Sequence, residues 1–528
     1  MQKKQEYTLN TQQNKKATKR IIAEVIIAII LIAPAIVLCV GWRKLIIRLI
    51  LQNVELKPNS VGFQTWLHPP TTITRGYHLF NITNPTEIVT NATLTTINLK
   101  ETRAYSYSLS ATKQDIQWSN DNKSINYSIH RLFTRHPTRF DPSSVNDTGV
   151  FVDLVRAIFR TSFGHKPSQA FYDFAGKDAF YHRNAVEQLE GFNSDLFKTV
   201  REKMTGPNTN KTGFIYRYNG SRSYNYTIKS AVYFVFYPIL TLLKNSPHPS
   251  SYILKSLMEK GQVLAFASEN APFSFSSPTP YGIPIYDGLT FVPMLFNKPS
   301  LNIFQADFCR PLHVKFNRVL SMFGGIDVHE YVIKLVDLNQ CTYPNDTNTC
   351  PELDKLDISQ CISDSLPNNT VFLSKPHFYG ISNETRAEMN IEGFTPTREE
   401  HEALIYFEPY SGTPLRAHHR LQLNINATID PMKMSDYGSE LTPTGRKSVK
   451  RLLPLVWIDQ EVNVNDKVIS MLRWVHLALR YGQAIIMVLA IALAIIIIVI
   501  VEVIARRKTN NSRMQRDGNP KSDLLISK

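Results

Sequence analysis

The sequence predicts a β-rich α+β domain held at a membrane by an apolar helix at each end. Three observations carry this: apolar stretches Ile21 to Val40 and Ala484 to Ala505, a crowd of glycosylation sequons between them, and short strand-like runs throughout that middle. Each apolar stretch approaches the ~20 residues that cross a bilayer core. The first exceeds the ~7–15 apolar residues of a cleaved signal and ends in Cys39-Val40-Gly41-Trp42 without a small-residue cleavage site, so it reads as a retained anchor. The expected organisation is a tail at 1–20, a span at 21–40, an ectodomain at 43–481, a span at 484–505 and a tail at 506–528. Glu24 and Glu502 lie near the ends of the spans, where a carboxylate reaches headgroup water.

Basic residues flank both sides of the first span, so charge alone does not orient it. The sequons do. Asn81, Asn91, Asn122, Asn126, Asn146, Asn210, Asn219, Asn225, Asn345, Asn368, Asn383 and Asn426 all fall between the spans, against Asn510 alone in the tails. Both termini are therefore expected in the cytosol. Formal charge is +15, but the tails hold thirteen Lys and Arg against Glu6, Asp517 and Asp523, which leaves a weakly charged ectodomain. Basic tails beside anionic headgroups give no reason to invoke nucleic acid.

Four of the five cysteines, Cys309, Cys341, Cys350 and Cys361, cluster on the oxidising side and read as two disulfides. Three pairings are open. The short loop from Cys341 to Cys350 favours closing that pair first, leaving Cys309 with Cys361. A zinc site built from the same four would need closer C-x₂₋₄-C spacing.

The ectodomain is expected to be one large domain. Tyr105 to Leu109, Ser124 to Ile129, Phe214 to Tyr218, Tyr224 to Ile228 and Leu404 to Phe407 are β-branched and aromatic runs punctuated by Asn, Gly and Pro, the composition of antiparallel strands. Helical spacing appears in Val150, Phe151, Leu154, Val155, Ile158 and Phe159, then in Ala185, Val186 and Leu189, and again in Leu196, Phe197 and Val200. A small helical cluster within a β-rich domain is expected.

No catalytic, cofactor or metal constellation emerges. Adjacent His418 and His419 would point to opposite faces of a strand, and His401-Glu402 lacks the second histidine of a zinc helix. Thr444-Gly445-Arg446-Lys447-Ser448 lacks the spacing of a phosphate loop, and Ser411-Gly412 lacks the flanking glycine of a nucleophile elbow. A non-enzymatic protein without cofactor or metal is expected. An ecto-nucleotidase would require the missing phosphate loops, and a two-span channel would require small or polar pore-lining positions in its spans.

An ordered series of motifs resembles the class B scavenger receptors, which include fatty-acid translocases, lipoprotein receptors, a lysosomal integral membrane protein and insect sensory neuron membrane proteins. It begins with Trp66-Leu67-His68-Pro69-Pro70 and the run from Tyr77 through Leu79-Phe80-Asn81-Ile82-Thr83-Asn84-Pro85 to Glu87. Ala185-Val186-Glu187-Gln188-Leu189-Glu190-Gly191-Phe192 follows, with Glu190 where the family usually has tryptophan. Next come Asp287-Gly288-Leu289-Thr290-Phe291-Val292-Pro293 and Phe304-Gln305-Ala306-Asp307-Phe308-Cys309-Arg310. Ser374-Lys375-Pro376-His377-Phe378, Glu408-Pro409-Tyr410-Ser411-Gly412, Arg420-Leu421-Gln422-Leu423-Asn424 and Pro454-Leu455-Val456-Trp457-Ile458 complete it. Glu101-Thr102-Arg103-Ala104-Tyr105 departs from the family's Gly-Pro-Tyr turn, and a third family disulfide is missing both cysteines.

The resemblance implies a twisted antiparallel β-barrel capped by an apical helical cluster, with an internal lipid tunnel towards the bilayer and nested disulfides Cys309–Cys361 and Cys341–Cys350. It implies a membrane receptor that binds fatty acid, sterol or phospholipid, or lipoprotein particles, and passes lipid to or from the membrane. A homo-oligomer is left open. The segment from Val150 to Lys166 matches the family's ligand-binding helices in position, so Phe151, Val155, Phe159 and Phe163 are expected to offer apolar contacts and Arg156, Arg160 and Lys166 to meet anionic headgroups. The competing reading is that the aromatics are the packed face of the helical cluster and the cations its wet face. Asp523-Leu524-Leu525-Ile526 is similar to the dileucine sorting signals of the lysosomal member, although Pro520 occupies the usual acidic position. The plasma membrane and the endosomal or lysosomal membrane are both expected locations, the second for a receptor that sorts an acid hydrolase and exports luminal lipid.

Overall fold

A computed structural model describes residues 33–91, 95–163, 178–200, 210–216, 222–229, 263–268, 274–276, 285–288, 291–308, 310–337, 351–362, 366–434, 441–444 and 447–517, with isolated positions between them. They belong to two compact units, one of described residues before Ile50 and after Met471 and one of described residues from Ile50 to Met471.

In the terminal unit, residues 33–49 are helical. The indole of Trp42 donates to the Ala478 carbonyl at 2.8 Å, and the Gln483 amide donates to the Cys39 carbonyl at 2.9 Å while the Cys39 thiol donates to the Gln483 carbonyl at 3.1 Å. Among the described residues one helix, within Asp466–Ile504, is long and apolar enough to cross a membrane. Much of the expected first span, 21–32 apart from Ile22, Ile26 and Ile30, lies outside the described residues.

The larger unit is a β-rich α+β domain. Its principal strands in chain order are β1 (Thr71–Ile82), β2 (Ile97–Glu101), β3 (Tyr105–Trp118), β4 (Ser124–Arg135), β5 (Thr148–Val152), β6 (Phe180–Asn184), β7 (Arg222–Lys229), β8 (Val263–Ser268) and β9 (Ser274–Ser276). There follow β10 (Ile285–Tyr286), β11 (Ser300–Gln305), β12 (Arg310–Met322), β13 (Ile326–Lys334), β14 (Val371–Ser374), β15 (Leu404–Glu408), β16 (Thr413–Ile429) and β17 (Val449–Val464). Its principal helices are α1 (Val61–Leu67), α2 (Leu154–Phe163), α3 (Ala185–Glu190) and α4 (Asp195–Val200), while α5 (Asp466–Asp517) belongs from Leu472 onward to the terminal unit.

Among the described residues one seventeen-stranded sheet dominates, with β5 and β6 pairing apart from it. A continuous ladder runs β9, β8, β7, β4, β3, β1, β17, β16, β15, β13, β12, β11, β10, antiparallel at every step but the last. Register places His78 opposite Trp457 and Thr71 opposite Val464. The sheet curls, because side chains distant along the ladder meet. The Tyr127 hydroxyl in β4 donates to Asp287 just after β10 at 3.0 Å, and Arg75 in β1 pairs with Asp307 just after β11 at 3.1 Å. Arg131 in β4 takes the other oxygen of Asp307.

The main apolar cluster joins Tyr77, Leu79, Tyr107, Ile158, Leu189, Phe407 and Leu455 among many others. A second forms around α1, where Trp66 meets Tyr127 edge to face at 4.9 Å and Phe63 stacks near Trp66 at 5.6 Å. The Ser60 hydroxyl caps α1 by accepting from the Phe63 amide at 3.0 Å.

Two local expectations are corrected. Val150 and Phe151 belong to β5, and the helix begins only at Leu154, where Asp153 accepts from the Arg156 amide at 3.1 Å. A side-chain cap there starts the helix and leaves the two preceding apolar residues to pair with β6. Phe214 to Tyr216 form a turn instead of a strand, and 217–218 lie outside the described residues. The amides of Phe214 and Ile215 donate to the Gln188 and Leu189 carbonyls at 3.3 and 2.8 Å, satisfying orphan acceptors at the end of α3.

Candidate ligand-binding site

Helix α2 packs on the Ile429 end of β16, opposite the end that pairs with Asn463 near the start of α5. Beneath its first turn lies a cavity of about 80 Å³, lined by Leu154, Val155, Phe192, Phe214, Ile362 and Leu423, with Asp153 and Gln188 as its polar members. It is smaller than the ~300–1,000 Å³ of a typical small-molecule pocket. Its walls come from α2, α3, the strand and turn segments that follow α3, a helical turn at Ser359–Ile362, and β16.

Its polar rim centres on Arg183. That guanidinium reaches Asp153 at 3.2 Å and Gln188 at 2.7 Å, and lies 3.2 Å from the Phe192 ring centroid and 4.4 Å from that of Tyr181. Burial lowers its pKa, and the Asp153 carboxylate offsets part of that effect. Arg156 lies over the same Tyr181 ring at 4.4 Å. Asp178, half-buried, has its carboxyl pKa raised by desolvation although it accepts from the Phe180 amide at 2.8 Å.

The residues expected to contact ligand are mostly inward. Phe151, Val155 and Phe159 are buried in the main cluster, and of these Val155 faces the cavity. In place of an exposed cation, Arg160 is 1% exposed, paired with Asp430 and donating to the Gly176 carbonyl at 2.6 Å. An anionic headgroup would have to displace Asp430 to reach it, so the surface role expected of Arg160 is corrected. Arg156 remains half-buried. The Phe163 side chain and Lys166 lie outside the described residues, as do Leu524 and Leu525. The residues that build the cavity and its rim, Arg183, Gln188, Phe192, Phe214 and Leu423, carry no local signal, because five separate segments contribute them.

Among the sequons, Asn91, Asn122, Asn126, Asn146, Asn210, Asn219, Asn368 and Asn383 are exposed. Asn81 and Asn426 are half-buried, Asn81 accepting from the Val150 amide at 2.8 Å and Asn426 donating to the Asn369 carbonyl at 2.9 Å. The Asn225 side chain and Asn345 lie outside the described residues. Cys361 is disulfide-bonded, and Cys309, Cys341 and Cys350 lie outside them. No cluster of His, Cys, Asp and Glu suited to a metal occurs among the described residues.

Departures from the family motifs acquire partners. Glu190 accepts from both arms of Arg135 at 2.6 and 2.8 Å and from the Tyr107 hydroxyl at 2.9 Å. Glu101 meets His78 at 2.6 Å, His377 at 2.8 Å and the Trp457 indole at 3.0 Å. Burial would raise the Glu101 pKa, but the close His377 and His78 rings outweigh it and hold the carboxyl well below its ordinary value.

A curled, mostly antiparallel sheet with a small helical cluster, followed in the chain by a helix long and apolar enough to cross a membrane, defines a β-rich α+β domain with a candidate membrane span. The chain belongs to the CD36 family, whose model matches residues 25–504, and it is a membrane protein of that scavenger-receptor class. It is 22% identical to lysosome membrane protein 2 of Rattus norvegicus over 461 residues, 85% of this chain and 87% of the relative. The Homo sapiens lysosome membrane protein 2 is likewise 22% identical over 472 residues, with the same coverage. Sensory neuron membrane protein 1 of Bombyx mori is 31% identical over 192 residues, 35% of this chain and 33% of the relative.

Proposed function

We propose that this protein is a receptor that binds lipids or lipoprotein particles and transfers lipid to or from the membrane through a conduit inside its curled sheet. The observation that carries this reading is the apolar cavity between α2 and β16, a space walled by side chains from five segments beneath the helix. Exposing an acyl chain to water costs ~25 cal/mol per Å², so an apolar passage lowers the barrier to transfer without bond-making. The reading extends the curl to a closed twisted barrel, the cavity to a tunnel, and the anchors to two spans with both termini cytosolic. It keeps Val155 and Arg156 as contacts at the mouth and pairs Cys309 with Cys361 and Cys341 with Cys350.

The test is transfer of a pyrene-labelled fatty acid between donor and acceptor vesicles by full-length protein, with lipid extraction from the purified protein. Saturable transfer that falls when Leu423→Trp fills the cavity is expected. Transfer no faster than across protein-free vesicles, with no co-purifying lipid, would overturn the reading.

A second reading, an endolysosomal receptor that sorts an acid hydrolase and exports luminal lipid, is supported by the long alignment with lysosome membrane protein 2. Imaging of the tagged chain with and without Leu524→Ala and Leu525→Ala separates the two. A surface location that does not change excludes the endolysosomal reading.

A further inference from the structure

The β12–β13 hairpin overhangs one end of the sheet. Thr71 pairs with Val464, and α5 begins two residues later at Asp466, so this is the end from which the chain enters its apolar helix. Arg416 in β16 pairs with Asn463 at that same end, and Phe407 in β15 pairs with Pro414 and with His329. From His329 the hairpin continues through Val328 opposite Leu320 to Ile326 opposite Met322. At ~3.3 Å per residue this carries its tip about 10 Å beyond the level of His329.

The overhang has an unusual surface. β11 pairs with β12 only as far as Lys315, so from Asn317 to Met322 the outer edge of β12 has no strand beside it among the described residues. Val319 is 54% exposed and Phe316 36%, and Phe296, 45% exposed, sits near His329 and Tyr410 with ring centroids 5.5 and 4.8 Å apart. Leu320, Met322 and Phe323 are half-buried, and Phe323 has the Arg416 guanidinium 5.5 Å from its ring centroid. Lys315 and Arg318 are exposed on the same strand. Glu330 is turned inward beneath it, buried and held by Arg318 at 3.0 Å and Arg398 at 3.1 Å, whereas Asp327 near the tip is half-buried.

An open strand edge bearing large apolar side chains is a liability in water and is ordinarily blunted or covered. Apolar tips flanked by Lys and Arg suit the interfacial layer of a bilayer, where the hydrocarbon side chains enter the acyl boundary and the cations meet lipid phosphates. We propose that the β12–β13 hairpin rests its tip and outer edge, through Phe316, Val319 and Phe323, in the headgroup layer of the bilayer that α5 crosses. The contact would act as a foot for the domain on the membrane. A second copy of the chain would need a flat, uncharged edge to add a strand, and Lys315 and Arg318 oppose their own repetition there.

The test uses the full chain, with Cys39→Ser, reconstituted in phosphatidylcholine–phosphatidylserine vesicles and spin-labelled at Val319→Cys. A label at Leu132→Cys, 45% exposed on β4, serves as the aqueous reference. The expected result is inversion of collision partners: oxygen relaxes the Val319 label more than a water-soluble nickel complex does, and the reverse holds at Leu132. In a second preparation, Phe316→Asp together with Val319→Asp should return a label at Ser321→Cys to water while circular dichroism stays unchanged. Nickel-dominated relaxation at Val319 would overturn the proposal. So would dipolar broadening at Val319 that vanishes on dilution with unlabelled chain, because a second copy would then cover the edge.

Discussion

Asp307 bridges two buried guanidinium groups, Arg75 at 3.1 Å and Arg131 on its other oxygen. Replacing it with asparagine leaves like charges facing each other away from water, and removing one partner of a buried ionic group costs ~3–5 kcal/mol. Chemical denaturation of Asp307→Asn should show a loss of that order. His419 lies beside the same group. Its Nδ1 is buried without a hydrogen-bond partner among the described residues, and burial first, then the Arg75 charge, pushes its pKa down to about 4. A depressed value means that the unfolded chain takes up the proton earlier. Stability from this site is therefore complete above about pH 6.5 and is lost as pH falls towards about 4. Thermal midpoints recorded across that window should decline less in His419→Gln than in the parent. His418, one residue away, instead meets Asp459 at 3.2 Å, so the adjacent pair serves two different environments.

At the scale of elements, the turn joining β15 to β16 explains its own motif. Glu408 accepts from the amides of Tyr410 and Ser411 at 3.1 and 2.7 Å, and Gly412 closes the turn at φ +74°. A β-carbon at Gly412 would lie 2.1 Å from the Val292 carbonyl oxygen. Gly412→Ala should cost more than the ~1–2 kcal/mol of a left-handed alanine, because the backbone must also retreat. A lowered unfolding midpoint accompanied by loss of strand signal in circular dichroism would record it. Strands and helices differ in how much of them was readable. Alternating aromatic and β-branched residues marked β3, β4, β7 and β15, whereas the apolar spacing over 150–159 suited a helix although its first part is strand. Periodicity counts side chains on a face and cannot see that Asp153 caps the helix three residues on.

For the molecule as a whole, the disulfide at Cys361 closes chain within a domain that curls back on itself. Cys361→Ser should lower stability by ~2–5 kcal/mol through loss of that cross-link, read as a drop in Tm that reducing agent reproduces in the parent but not in the variant. The candidate site was only partly legible. Val155 was marked by its helical stripe and does face the cavity, yet Arg160 looked like a surface cation and is an internal one. Its charge was visible in the sequence, but Asp430, 270 positions away, was not identifiable as its partner.

The chain's linear order by itself determined the apolar anchor at its C-terminus, the β-rich character of the middle and the family, because hydropathy, strand composition and contiguous motifs are all properties of neighbouring residues. Tertiary structure alone decided which faces turn inward. Asp307 bridging two strands, Glu101 shared by two histidines and a tryptophan, Glu190 holding Arg135, and a cavity assembled from five segments all join residues far apart in the chain. Such contacts depend on strand register and curl, which no local pattern encodes.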